Sequence, residues 1–234
     1  MRTADGLIIL QARDRPTRQP GKALRRLAGR TLLARAIERL VATGAAPLVL
    51  ATTEREEDDV LAETAAALGV PCMRGPDEDV LTHFAQVVAL LGPTYVVLAT
   101  ADNPAVDIDG PRRVLEHLQR GNVDYVLEQG LPIGAEVEGI RASALLEVAA
   151  RATDPYDRRH VTPFLRAPQH RYRTLAPQAP TAVRRPDLRF TVDTAEEFAW
   201  MAAVLTQAGA TAGTVPLTWI IRAADRLLGS REVA

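Results

Sequence analysis

Four short apolar runs punctuate the first half of this chain: Leu7-Ile8-Ile9-Leu10, Pro47-Leu48-Val49-Leu50-Ala51, Val70-Pro71-Cys72-Met73 and Tyr95-Val96-Val97-Leu98-Ala99. They are continuous rather than alternating, so a strand made from any of them needs cover on both faces. Between them lie stretches with helical spacing: Leu32, Leu33, Ala36, Ile37 and Leu40; then Val60, Leu61, Ala65 and Leu68; then Val80, Leu81, Phe84, Val87 and Val88. Strand and helix signals in alternation predict an α/β fold, with a parallel sheet, helices on both faces and right-handed crossovers.

The second half is less regular. The pattern predicts helices over Arg112–Gln119 and Ala142–Arg151, and strands at Tyr125–Leu127, Val137–Ile140 and Arg189–Val192. Thr194 is suited to cap a helix running to about Leu205, with Glu196 and Glu197 in its first turn, and a last helix covers Pro216 to Leu228. Residues 152–187, rich in proline, arginine and histidine, read as a flap or dimerisation arm on a single domain spanning 1–234.

A net charge of −1 excludes the global basic field of a nucleic-acid binder, and no apolar run approaches the roughly 20 residues that span a bilayer. Cys72, the single cysteine, allows no internal disulfide. With no apolar signal core before Asp5, the expected compartment is the cytoplasm.

The basic residues are distributed very unevenly. The chain has 27 arginines and one lysine, Lys22. Between positions 13 and 35, Arg13, Arg15, Arg18, Lys22, Arg25, Arg26, Arg30 and Arg35 face only Asp14. The loop from Gln11 to Lys22 follows the first apolar run, where a parallel sheet binds ligands. A compact ammonium follows a phosphate oxygen as a point charge, which a planar guanidinium does not. The loop therefore reads as a triphosphate site, although it spells neither a Walker motif nor a dinucleotide fingerprint. The fourth run ends in Ala99-Thr100-Ala101-Asp102-Asn103-Pro104, and Asp193 ends Arg189–Val192. Asp102 and Asp193 are candidates to hold a divalent cation, Mg²⁺ preferring one or two carboxylates together with phosphate oxygens.

Gln11-Ala12-Arg13-x-x-x-Thr17-Arg18-x-Pro20-Gly21-Lys22 resembles the opening motif of the cytidylyltransferases that make CMP-sugars, in particular the spore-coat polysaccharide (SpsF-like) branch related to CMP-KDO and CMP-sialate synthetases. The likeness continues through Ala51-Thr52-Thr53-x-Arg55-Glu56-Glu57-Asp58-Asp59, Leu68-Gly69-Val70-Pro71 and Arg74-Gly75-x-x-x-Asp79-Val80-Leu81. It resumes at Asp102-x-Pro104, Asp154-Pro155-Tyr156-x-x-x-His160-Val161-Thr162-Pro163 and Thr191-Val192-Asp193-Thr194-x-Glu196. The resemblance implies a nucleotide-diphospho-sugar transferase fold with a mixed, mostly parallel sheet and helices on both faces, a homodimer, Mg²⁺, and transfer of CMP from CTP to an acidic sugar with release of pyrophosphate. It implies catalytic roles for Arg13, Lys22 and Asp102, and metal binding by Asp102 and Asp193. Arg15, Arg18, Thr52 and Thr100 join Arg13 and Lys22 as expected nucleotide contacts, Gln11 and Ala12 would approach the base through their backbone, and Asp79 would border the nucleoside.

Arg15-Pro16 stands where the family usually has Gly-Ser, Leu98 where this branch often has arginine, Ala101 for glycine and Asn103 for cysteine. On the acceptor side, alternation puts Glu136 and Glu138 on one face of a strand, able to bind hydroxyls or an amine. Tyr156 and His160 are further acceptor candidates, whereas His83, His117 and His170 stand in no constellation. Two other readings stay open: a metal-dependent glycosyltransferase using Asp107-Ile108-Asp109, and a nucleotide-binding protein impaired in catalysis through Arg15-Pro16.

Overall fold

All four apolar runs become strands. The computed structural model describes residues 5–14, 21–210 and 214–231. In it β1 (Gly6–Gln11), β4 (Leu48–Thr53), β5 (Cys72–Gly75) and β6 (Tyr95–Thr100) lie parallel, and β7 (Tyr125–Leu127), β8 (Glu138–Arg141) and β9 (Thr174–Leu175) complete a seven-stranded sheet. The order is β5-β4-β1-β6-β8-β7-β9. Within this sheet, as far as it is described, only the β6–β8 and β8–β7 pairs are antiparallel. A hairpin of β2 (Arg26–Leu27) and β3 (Arg30–Thr31) stands apart, its turn residues Ala28 and Gly29 both at positive φ, as a tight two-residue hairpin turn requires.

The pleat explains the continuous apolar runs. Ile8 and Leu10 of β1 face a core built with α1 (Leu32–Ala42), α2 (Asp59–Ala67) and α4 (Gly110–Gly121). Leu7 and Ile9 face the opposite core, with α3 (Val80–Leu91), α5 (Ala142–Arg151) and α7 (Pro163–Arg166). Successive residues point to opposite faces, and helices cover both. A third core gathers α8 (Ala195–Gln207) and α9 (Leu217–Arg231) around Phe190 and Val192.

Two arginines are internal. Arg39 donates to the carbonyls of Val106 and Val215, and Arg35 to those of Leu27, Ala28 and Ala210. Both are buried, and burial lowers the Arg39 pKa to about 10, still charged at neutral pH. One guanidinium thereby satisfies carbonyls of two loops, which its fork of five donors permits.

Two expectations change. The strand expected at Val70–Met73 forms two residues later, because Val70 donates back to Ala65 to close α2. Arg189–Val192 is extended but is not a ladder strand. Phe190 donates to the Ile133 carbonyl, Ile133 donates to the Leu188 carbonyl, and Val192 donates to the Asp102 carbonyl, so this backbone pairs with loops. Within 152–187, α6 (Pro155–His160) and α7 pack near α3 and α5, and Thr174–Leu175 becomes the sheet edge beside β7.

Gly134 fixes where the extended segment lies. It has φ of +88°, and a Cβ there would sit 2.5 Å from the Thr191 nitrogen. Only glycine allows the two backbones to approach this closely.

Candidate functional site

After β1 the chain moves to β4 and β5 on one side, and later to β6 on the other. The gap between the carboxyl ends of β1 and β6 is therefore the switch point of the parallel part of the sheet, where open α/β folds hold ligands. The loop after β1 carries Lys22 there, and the turn after β6 carries Asp102.

Gly21, in the left-handed region at φ 71°, starts the short helical turn Lys22–Leu24. The Lys22 side chain, 17% exposed, puts Nζ 2.7 Å from Asp102 Oδ1 and 3.9 Å from Asp193 Oδ1. It also donates to the Val192 carbonyl at 2.8 Å, while the Val192 N–H donates to the Asp102 carbonyl at 2.9 Å. Residues from three separate parts of the chain thus meet at one point. Asp102 and Asp193 retain 44% and 40% of their side-chain exposure, so the cluster opens to solvent. Burial raises the Asp102 carboxyl pKa, Lys22 opposes the rise and Asp193 adds to it. Thr194 and Glu197 form a capping box at the start of α8, and Glu197 also accepts from the Asp193 N–H, which holds Asp193 in place.

A buried scaffold shapes the loop. Asp58 accepts from the Asp14 N–H at 2.8 Å and from the Thr53 hydroxyl, and Asp14 accepts from the Gly21 N–H at 3.0 Å. Burial pushes the Asp14 carboxyl up, with Asp58 adding to the rise. Arg13 donates to the Asp77 carbonyl at 2.7 Å and to its carboxylate at 3.2 Å. The sequence reading assigned no role to Asp14, Asp58 or Asp77. Asp58 lay in plain view inside the second motif block, but only the fold shows that it reaches back to the first loop.

The other candidates divide. Arg15 and Arg18 lie outside the described residues. The Gln11 carbonyl accepts from Ala101 and the Ala12 N–H donates to Ala51, so both groups serve the sheet. Thr52 is buried, and its hydroxyl has no hydrogen-bond partner among the described residues. Asp79 caps α3 through Thr82 and bonds Arg158 of α6 at 2.7 Å; its hydrogen bonds tie two helices together.

A cavity of about 120 Å³ opens beside the end of β6, lined among others by Gln11, Leu98, Thr100, Glu136, Glu138 and His160. Glu138 accepts from the Tyr125 hydroxyl, and Glu136 from the Gly134 N–H at 2.8 Å. Burial raises the Glu136 carboxyl pKa, and Glu138 adds to the rise. His160 lines the cavity, and the next residue, Val161, takes φ +65°, costly for a β-branched residue, in a turn where Thr162 N–H bonds the His160 carbonyl at 2.7 Å. Tyr156 packs on the His160 ring, with centroids 4.5 Å apart, but is 61% exposed and does not line the cavity.

Asp107-Ile108-Asp109 does not present a metal site. Asp107 is buried and bonds Arg113 at 2.7 Å, and Asp109 leads into α4. Among the described residues no group of three or more His, Cys, Asp or Glu side chains is arranged to hold a metal ion.

A family model described as cytidylyltransferase matches residues 7–210. The spore coat polysaccharide biosynthesis protein SpsF of Bacillus subtilis is 32% identical over 212 residues, covering 88% of each chain. The 3-deoxy-manno-octulosonate cytidylyltransferase of Vibrio vulnificus is 29% identical over 164 residues, 64% of each chain. A cytidylyltransferase structure from Leptospira borgpetersenii superposes with a TM-score of 0.84 at 20% identity, covering 98% of this chain and 96% of that one, a likeness of fold. With its matching family model, its sequence relatives and its switch-point site, the chain belongs to the cytidylyltransferase family.

Proposed function

We propose that this protein moves CMP from CTP to an oxygen of a small acidic sugar and releases pyrophosphate, with Lys22, Arg13 and Asp102 as the catalytic residues and Mg²⁺ as the cation. The observation that carries the reading is the meeting of Lys22, Asp102 and Asp193 at the switch point. The Vibrio relative, a 3-deoxy-manno-octulosonate cytidylyltransferase by name, supports a sugar acid as acceptor. The reading includes a homodimer in the cytoplasm.

The acceptor oxygen attacks the α-phosphorus in line. One P–O bond forms as the acceptor hydroxyl loses its proton to solvent, the bond to the β-phosphate bridge breaks, and pyrophosphate leaves. Lys22 and Arg13 hold the triphosphate and neutralise charge as it moves to the leaving group. Asp102 and Asp193 are hard oxygen donors in a cleft open to solvent, a donor set that fits Mg²⁺ completed by phosphate oxygens. Bound there, Mg²⁺ would neutralise phosphate charge.

The ion pair of Asp107 with Arg113 counts against the glycosyltransferase reading. The test is pyrophosphate release with each NTP against a panel of sugar acids, with Mg²⁺ and with EDTA. Release that needs CTP, an acceptor and a divalent cation is expected. CTP binding without release across the panel, or sugar transfer from a nucleotide sugar, would overturn the proposal.

A further inference from the structure

The cavity beside β6 has an unusual charge balance for a pocket expected to take an acid. Glu136 and Glu138 both line it, and among the described residues no arginine or lysine does. Neither carboxylate has an ion-pair partner among those residues. Glu138 accepts from the Tyr125 hydroxyl and Glu136 from a backbone N–H. Leu98 stands opposite Glu138 in the β6–β8 register, and it lines the same cavity together with Phe84 and Val161. An apolar wall beside two acids that lack an ion-pair partner penalises an approaching carboxylate, although His160 also lines the cavity. The same wall strengthens the attraction for a cation. The cationic side chains Lys22 and Arg13 are engaged elsewhere, by Asp102 and Asp77.

We propose that the acceptor presents a protonated amine to Glu136 and Glu138, so that the preferred substrate is an amino-substituted sugar acid whose carboxylate points away from this pair. The inference rests on the cytidylyl-transfer reading for its reaction, but not for its binding chemistry. An ammonium supplies up to three donors, and a charge-assisted hydrogen bond to each carboxylate exceeds what an acetamide or a hydroxyl offers. Acetylation removes the charge, and with it the attraction for the two carboxylates.

The experiment compares sugar acids that differ in one substituent, a free amine, an acetamide or a hydroxyl, taken position by position around the ring. The expected result is a kcat/KM for one amine isomer at least tenfold above its acetamide and hydroxyl counterparts. Glu138→Gln keeps an oxygen for Tyr125 and removes the charge, and should bring that ratio close to one. Leu98→Arg places a guanidinium opposite Glu138 and should do the same. CTP affinity and circular dichroism report whether each variant is folded. Preference for no amine isomer, or a preference that survives Glu138→Gln, would overturn the inference. If no acceptor supports pyrophosphate release, the same sugars are titrated calorimetrically into protein loaded with an unreactive CTP analogue. A tenfold affinity preference for the amine then upholds the inference while the transfer reading fails, and equal affinities sink it. Mg²⁺ titrated alone is the remaining control: a metal site lost in Glu138→Gln would assign the two acids to a cation instead and overturn the proposal.

Discussion

The Lys22 ammonium lies 2.7 Å from the Asp102 carboxylate, and Val192 ties the two together, its carbonyl accepting from Lys22 and its N–H donating to the Asp102 carbonyl. The pair is braced through backbone as well as by charge. Its geometry therefore depends on the extended segment 189–193 as much as on the two side chains.

Removing the ammonium should affect turnover far more than folding. A unit charge about 4 Å from a phosphate oxygen, at an effective dielectric near 20, contributes about 4 kcal/mol before desolvation. Lys22→Ala is expected to lower kcat/KM by about 10²–10³-fold. Lys22→Arg should restore little, since a fork cannot sit where a point charge contacts Asp102 and the Val192 carbonyl together. Pyrophosphate-release kinetics check both variants.

The Asp102 carboxyl carries a stability cost when ionised. Burial holds its folded-state pKa above the ordinary value of 3.8, so the folded state binds more protons than the unfolded one just above that value. Stability contributed by this group is complete below the unfolded pKa and falls as pH rises through the folded one. Asp102→Asn should remove this pH dependence. Its Tm relative to the unaltered protein should increase as pH rises from about 3.5 through the carboxylate range, then level off, while turnover is lost. Thermal melts across pH 3–8 test this, and a relative Tm that falls over the same range contradicts it.

Asp58 is a buried carboxylate that serves two donors, one in the loop after β1 and one at the end of β4. Asp58→Ala leaves the Asp14 N–H and the Thr53 hydroxyl without it, and should cost about 2–4 kcal/mol. It should also loosen the loop that carries Lys22 and raise the KM for CTP more than it lowers kcat. Urea melts and steady-state kinetics separate the two effects.

Gly134→Ala places a Cβ against the Thr191 backbone at a positive φ. The left-handed conformation alone costs about 1–2 kcal/mol, and the contact adds to it. For a chain of this size the expected Tm loss is at least several degrees. Because the displaced segment carries Val192 and Asp193, activity should fall even at temperatures where the variant is folded.

Much of the fold was legible because the pattern of burial is local. Four apolar runs with helical stretches between them require a parallel sheet with two covered faces, and Ile8 and Leu10 against Leu7 and Ile9 show that requirement met. The edge strand Thr174–Leu175 was not legible. Two residues carry no periodicity, and their pairing with β7 depends on how the chain returns after α7.

The site divides in the same way. Residue type and order in the sequence determined the family, and singled out Lys22, Asp102 and Asp193 at the ends of apolar segments. Only the tertiary structure decided which groups share one point. It gave Asp58 to the first loop, used Asp79 to join two helices, consumed Asp107 in an ion pair with Arg113, and left Glu136 and Glu138 lining one cavity. Those outcomes depend on distances between segments remote in sequence. A carboxylate carries no mark in the sequence of whether the fold will bring it a cation, a backbone N–H or a ligand.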